Sequence, residues 1–289
     1  MKKVLGIFSG IVFMSYVFVL TGCSKQDKFS NINPVTVVSR EDGSGTRGAF
    51  VELFGVEEKD SNGNKNDNTT VEASITNNTS VMMTTVQSDI YAIGYTSLGA
   101  LNDSVRALKI DGVEPTAKNI KNNTYKLSRP FNVVISKETT KEAQDFIDFI
   151  LSSDGQAIVS NSGYVPVESE NEYEKKDLSG KVVIAGSSSV SPVMEKLKEE
   201  YEKINQGVKI EIQTSDSTTG ITSVKEGICN IGMTSRDLTD NESLSGIKSL
   251  KIAMDGIVVI VNKDNDYENL SSEDVKKIYI GDALHWADF

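Results

Sequence analysis

Four apolar, β-branched runs in this chain end in the same way, in short turns crowded with Ser, Thr and Gly, and that recurrence narrows the possible folds more than any other feature. The first run, Val35 to Val38, enters Ser39-Arg40-Glu41-Asp42-Gly43-Ser44-Gly45-Thr46-Arg47 and is followed by the amphipathic stretch Gly48 to Phe54. The second, Val182 to Ala185, enters Gly186-Ser187-Ser188-Ser189, with Pro192 near the first turn of a helix over Val193 to Tyr201. The third, Val208 to Gln213, runs through Thr214 to Gly220 into a helix from Ile221 to Glu226. The fourth, Ile231-Gly232-Met233, stops at Thr234-Ser235-Arg236. Strand–turn–helix units of this kind build open α/β sheets, and such sheets bind ligands where strand carboxyl ends meet helix N-termini.

The first turn carries the most chemistry. The leading N–H groups of a helix lack intrahelical partners and point outward, backed by the positive end of the dipole. Gly43 and Gly45 allow the backbone to approach a ligand closely, and Ser44 and Thr46 add hydroxyl donors. Arg40 offers a planar fork matched to two oxygens of a tetrahedral anion, and Asp42 is close enough in sequence to pair with that fork and hold it still. The lysine of a P-loop and the spacing G-x-G-x-x-G are both missing, which leaves a small bare anion rather than a nucleotide. Any one such turn, taken alone, reads more readily as a helix cap than as a ligand site. Four strand ends of one chemistry favour a ligand.

A chain of 289 residues can bury two lobes, and 38% hydrophobic with 25% charged residues is an ordinary globular composition. The net charge of -11 argues against nucleic acid but not against a small anion held by local dipoles. Met1-Lys2-Lys3 and the apolar run Val4 to Leu20 read as a signal segment over residues 1–22, with a retained membrane helix as the alternative. Leu20-Thr21-Gly22-Cys23 resembles a bacterial lipobox, which makes Cys23 the lipidation site and residues 23–33 a tether. Cys229, in the apolar run Ile228 to Ile231, then has no disulfide partner and reads as a small core residue. His285 is the single histidine, and no His/Asp/Cys cluster has metal-ligand spacing, so a Ser/His/Asp hydrolase site would rest on His285 alone.

Between these units, Glu57 to Thr70 reads as a solvated loop, and Thr79-Ser80 as the cap of a helix over Val81 to Gln87. Phe131 to Ile135 reads as a buried strand, Lys141 to Val159 as two successive helices, and Glu168 to Lys176 as a charged linker.

The stretches Ala185 to Pro192, Ser217-Thr218-Thr219-Gly220-Ile221, Asn230 to Arg236, Ser39 to Arg47, Ile93 to Gly99 and Leu127 to Phe131 resemble the phosphate-binding lipoprotein of the phosphate ABC transporter, the PstS family, over nearly everything after about Asn33. The resemblance implies an α/β, two-lobed periplasmic-binding-protein fold of type II with a hinge between lobes. It places phosphate ligands at Arg40, Ser44, Gly45, Thr46, Ser188, Ser189, Ser217 and Ser235, with Asp42 behind Arg40. It implies no enzyme activity, no cofactor and no metal. The implied partners are inorganic phosphate, an ABC permease with its ATPase, and the membrane through a lipid anchor at the extracytoplasmic face; nucleic acid is not among them, and the protein is expected to be a monomer. Where Gram-negative members place a carboxylate that accepts the phosphate proton, this chain has Ser235.

The block order departs from the family. There the Gly186-Ser187-Ser188-Ser189 block comes first, and the Ser39 to Arg47 block follows a segment like Ile280 to Trp286, which here ends the sequence. The order reads as a circular permutation, with a piece of a tandem duplication as the alternative. It assigns residues 34–128 and 263–289 to a discontinuous lobe II and residues 129–262 to lobe I. A phosphate sensor or an adhesion lipoprotein on the same fold is the alternative to transport, and a phosphohydrolase a more distant one.

Overall fold

The computed structural model describes residues 28–60, 65–169 and 171–289. The signal segment, Cys23 and the first part of the tether lie outside the described residues.

The principal strands are β1 (Thr36–Arg40), β2 (Ser74–Thr76), β3 (Ala92–Ser97), β4 (Ser128–Ser136), β5 (Gly180–Ser187), β6 (Val208–Ser215), β7 (Ile231–Thr234) and β8 (Ile247–Val261). They form one sheet in the order β6-β5-β7-β4-β8-β3-β1-β2. The two ends of the sheet are parallel, as crossover helices require, whereas β7–β4, β4–β8 and β8–β3 are antiparallel. The helices that matter for the site are α1 (Gly45–Leu53), α2 (Thr79–Ser88), α3 (Lys141–Leu151), α4 (Ser153–Asn161), α5 (Ser191–Ile204), α6 (Ser217–Lys225) and α7 (Ser272–Ile280).

Two lobes arise because the 15-residue β8 serves two cores in turn. Its first part, through Gly256, lies along β4, and its last part, from Ile257, lies along β3. Ile252 and Ala253 belong to a core with Phe131, Phe146, Phe149, Ile184 and Tyr201. Ile257 to Val261 belong to another, with Val38, Phe50, Tyr95, Tyr279 and Trp286. Within the expected lobe I of residues 129–262, β8 thus changes pairing partner and core after Gly256. A run of apolar β-branched residues gives no sign of where one core hands over to the next.

Other expectations change at the edges. The loop Glu57 to Thr70 contains a small hairpin, Glu57–Lys59 paired with Lys65–Asp67. The tether expected to reach Asn33 is docked already at Phe29, whose ring packs on Tyr91, Tyr267 and Trp286. The charged linker is pinned too. Tyr173 and Tyr201 both donate to the buried carboxylate of Asp145 at 2.7 Å, and Lys176 pairs with it at 3.0 Å. Cys229 is buried in a small cluster with Ala185, Ile221 and Val224. Among the described residues no helix is long and apolar enough to cross a membrane.

One charged pair is buried where the cores meet. Asp255 on β8 stands opposite Arg129 on β4, and both are almost fully buried. Oδ2 of Asp255 accepts from Arg129 at 3.3 Å, and Oδ1 accepts from Ser97 of β3 at 2.9 Å. Burial pushes the Asp255 carboxyl up to about 6 and the Arg129 guanidinium down to about 10, so desolvation outweighs their mutual attraction. An aspartate with a raised folded-state pKa binds its proton more tightly when folded. Its contribution to stability is complete below about pH 4 and is lost as the pH rises through about 6. In urea titrations, the stability of the wild type relative to Asp255→Asn should fall across that interval. A difference independent of pH would show that the carboxyl is not perturbed by burial.

Candidate anion-binding site

The four strand ends picked out in the sequence meet at one place between the lobes. Arg40, at the end of β1, is fixed from behind. Its backbone N–H donates to the Tyr95 hydroxyl at 3.1 Å, that hydroxyl also pairs with Ser39 at 2.9 Å, and the Tyr95 ring stacks on Phe50 with centroids 4.0 Å apart. The guanidinium is 2% exposed. Its Nε and Nη2 donate to the two carboxylate oxygens of Glu41, each at 2.7 Å. Such a two-point clamp fixes the plane of the fork.

The expected partner of Arg40 was Asp42, and this is corrected. Asp42 lies in the turn with its side chain 96% exposed and pairs with Arg47 at 2.6 Å. The backbone swings outward at Asp42 and Gly43, whereas Glu41 stands at the strand end with one more methylene to reach back along the guanidinium. Arg47 is committed as well, donating to the Arg40 carbonyl at 2.9 Å and to Asp67 at 2.8 Å.

The free edges of the Arg40 fork face hydroxyls. Nη2 donates to Ser188 Oγ at 3.1 Å and Nη1 to Thr79 Oγ1 at 3.4 Å. Thr79 Oγ1 lies 3.2 Å from Ser188 Oγ and 3.1 Å from Ser189 Oγ, and Ser189 pairs with Thr46 at 2.7 Å. Thr46 and Thr79 belong to lobe II, Ser188 and Ser189 to lobe I. A second group adjoins the first: Ser187 donates to Ser235 at 3.0 Å, Ser235 Oγ lies 3.3 Å from Ser217 Oγ, and the Ser235 N–H donates to Ser217 Oγ at 3.1 Å. Gly45 is the lobe II face of that group. A Cβ there would stand 2.5 Å from Ser217 Oγ and 2.7 Å from Ser235 Oγ. Ser44 is buried beside them, its hydroxyl capping α1 by accepting from the Arg47 N–H at 3.3 Å.

All eight candidate ligand residues are thus gathered and buried. Four further participants were not read from the sequence. Glu41 is the clamp. Thr79 touches both lobes, and Ser187 and Arg129 support Ser235, the latter by donating to its carbonyl at 3.4 Å. The sequence marks Thr79-Ser80 as the helix cap, but the cap is Asn78, which accepts from the Val81 N–H at 2.9 Å. Asn is itself a preferred cap, and that could have freed Thr79 for another role.

The electrostatics depend on dipoles more than on net charge. The N-termini of α1, α2 and α6 all open here, and each presents positive partial charge over its first turn. Of the nearby arginines, Arg40 is balanced by Glu41, and Arg236 holds Glu242 at 2.7 and 2.9 Å. That hydrogen-bonding keeps the Glu242 carboxyl down at about 2. The helix α6 is seated closely because Gly220 meets the sheet without a side chain; a Cβ there would lie 2.7 Å from the Gly186 Cα and 2.8 Å from the Ala185 carbonyl oxygen. A cleft of about 780 Å³, lined by Ala49, Glu52, Arg129, Arg236 and Thr239, opens between the lobes. Each hydroxyl in the cluster is bonded to another hydroxyl, to Arg40 or to backbone, an arrangement suited to holding a desolvated oxyanion.

A family model described as PBP superfamily domain matches residues 3–154 and 171–289, and one for bacterial extracellular solute-binding proteins matches residues 126–184. The chain is similar to phosphate-binding protein PstS 2 of Streptococcus agalactiae, with 55% identity over 271 residues, 93% of this chain and 92% of the relative. The crystal structure of a phosphate-binding protein of a phosphate ABC transporter from Streptococcus pneumoniae superposes with a TM-score of 0.69 at 44% identity, covering 89% of this chain and 99% of that one. A phosphate-binding protein PstS of Staphylococcus saprophyticus is 39% identical over 116 residues, 38% of this chain and 36% of the relative.

Proposed function

The chain belongs to the PstS family of phosphate-binding proteins, within the PBP superfamily, and on that premise we propose how it captures phosphate for an ABC transporter. The observation that carries the mechanism is the buried ring of hydroxyls contributed by both lobes around the clamped guanidinium of Arg40. Phosphate enters between the lobes and takes over hydrogen bonds that the hydroxyls make to one another when the tips meet. Arg40 supplies two donors and the helix N-termini supply backbone N–H groups. Contacts from both sides favour the closed form over the open one, which is how ligand binding drives closure.

Phosphate is separated from sulfate by its proton. A serine hydroxyl can accept a hydrogen bond as well as donate one, so Ser235 or a neighbour can receive the proton of hydrogen phosphate. Sulfate offers none and leaves an acceptor unsatisfied in a buried site, which costs affinity.

The order of the blocks is read as a circular permutation of the family's usual order. Three features support it. Pro34 bridges to His285, the Val35 N–H donates to the Leu284 carbonyl at 2.8 Å, and the Trp286 N–H donates to the Asn33 carbonyl at 3.3 Å, so the segments at either end of the sequence meet as neighbours in one structure. The staphylococcal relative matches 38% of this chain in one run, as a reordered relative would, and the streptococcal relative matches 93%, as one sharing this order would. The linker through Tyr173 and Lys176 joins segments that would be the usual termini. At the membrane, acylation of Cys23 would anchor the protein at the extracytoplasmic face as a monomer. With Phe29 docked on Trp286, only residues 24–28 separate the anchor from lobe II.

Titration calorimetry with phosphate, arsenate and sulfate tests the site. Arg40→Ala should weaken phosphate binding at least about 100-fold, since two charge-assisted hydrogen bonds are lost from a buried site. Glu41→Ala should weaken it about tenfold, and Asp42→Ala less than about threefold. Equal losses at residues 41 and 42 would restore Asp42 as the clamp.

Gly45→Ala should leave urea stability close to wild type while weakening phosphate binding, because the added methyl group meets Ser217 and Ser235 only when the lobes close. Undiminished affinity would exclude this closed arrangement. A chain reopened within residues 168–178, with residue 289 joined to residue 33 by a short flexible linker, should bind phosphate within a few-fold of the parent. Loss of binding in a folded, reopened protein would count against the permutation reading.

A further inference from the structure

The buried pair Arg129–Asp255 has no role in the phosphate contacts themselves, yet it lies where β8 passes from one core to the other. Its hydrogen bonds run across the lobe boundary in sequence. Ser97, on β3 of lobe II, donates to one carboxylate oxygen of Asp255 at 2.9 Å. Arg129, on β4 of lobe I, donates to the other at 3.3 Å. The second terminal nitrogen of Arg129 donates to the Ser235 carbonyl at 3.4 Å, and the Ser235 N–H and hydroxyl engage Ser217 and Ser187. Four steps thus connect a lobe II strand to the lobe I half of the hydroxyl ring. Arg129 also lies over the Phe131 ring at 5.3 Å, which fixes its plane, while its Nε has no hydrogen-bond partner.

We propose that Asp255 and Arg129 are positioning residues that couple the hinge to the phosphate site, holding the Ser235 peptide in the register at which the lobe I hydroxyls meet Gly45 and Thr46. Three arguments support this. The pair sits at the residue where β8 changes cores, next to Gly256, on a strand that joins the two lobes. Each oxygen of the carboxylate is committed to a different lobe, so the pair is strained or broken when the lobes turn. Both groups are shifted by burial toward their neutral forms, so the pair costs stability, and a buried ion pair that costs stability is kept for something other than stability.

The inference rests on the phosphate-binding reading and is tested on the full extracytoplasmic chain. Asp255→Asn, Arg129→Gln and the double variant are compared with wild type by phosphate titration calorimetry, phosphate-induced compaction in small-angle X-ray scattering, and urea stability without ligand. Each single variant should lose about tenfold or more in phosphate affinity and show reduced compaction. The double variant should be no worse than the weaker single variant, because both act through one connection. Ser97→Ala removes the Ser97 hydrogen bond to Asp255 and leaves the ion pair and the Gly99 backbone contact intact; it should weaken phosphate binding several-fold, and it decides the matter if the charge variants fail to fold. Wild-type affinity and compaction in the folded variants, with stability alone changed, would overturn the coupling. A wild-type chain that does not bind phosphate would overturn this inference together with the reading beneath it, whereas a binding wild type with indifferent variants would overturn this inference alone.

Discussion

A single long strand that belongs to two cores is the constraint from which the rest of this structure follows. Strand β8 pairs with β4 through Gly256 and with β3 from Ile257 onward, so the two lobes share backbone rather than merely touching. Strands β4 and β8 lie at that boundary, together with the short strand Val165–Pro166, which pairs with β8 at Ala253 and Met254. The residues at and just after the carboxyl ends of β1, β5, β6 and β7 converge between the cores. The hydroxyl cluster is a consequence of topology. Ser189 is far from Thr46 in sequence, and the topology brings the two hydroxyls within 2.7 Å of each other.

An acidic protein that captures an anion must solve an electrostatic problem locally. The arginine at the centre of the site is neutralised by Glu41 and Arg236 by Glu242, so the site as a whole carries little formal charge. Attraction comes instead from three helix N-termini and from hydroxyls that reorient to suit the ligand. As proposed, such a site would do little to draw phosphate from a distance and would hold it once water is excluded, since dipoles act most strongly in a low-dielectric setting. The same hydroxyls satisfy one another when the tips meet, which avoids leaving buried polar groups without partners.

Much of this was legible in the residues. The strand–turn–helix units are visible because β-branched runs and Ser/Thr/Gly turns report local backbone preference; Thr46 is named from its turn, whereas Ser188, Ser217 and Ser235 are placed as ligands by the resemblance to the PstS family. Details that depend on side-chain direction were not. Asp42 looked the better partner for Arg40 by spacing, but the turn carries it out to solvent while Glu41 folds back along the guanidinium. Thr79 looked like a cap because it begins a helix, and Asn78 takes that role. Phe29 looked like part of a polar tether until Tyr91, Tyr267 and Trp286, all remote in sequence, supplied a pocket for its ring.

The amino-acid sequence by itself determined the α/β class, the chemistry of the four turns and the kind of ligand they suit, because each depends on near neighbours along the chain. The tertiary structure alone decided where β8 passes from one core to the other, which carboxylate steadies Arg40, and that Arg129 and Asp255 stand opposite each other on β4 and β8. Those are matters of how distant strands are registered against one another. Registry is settled by packing over the whole sheet, where a displacement of one residue would turn every side chain to the opposite face.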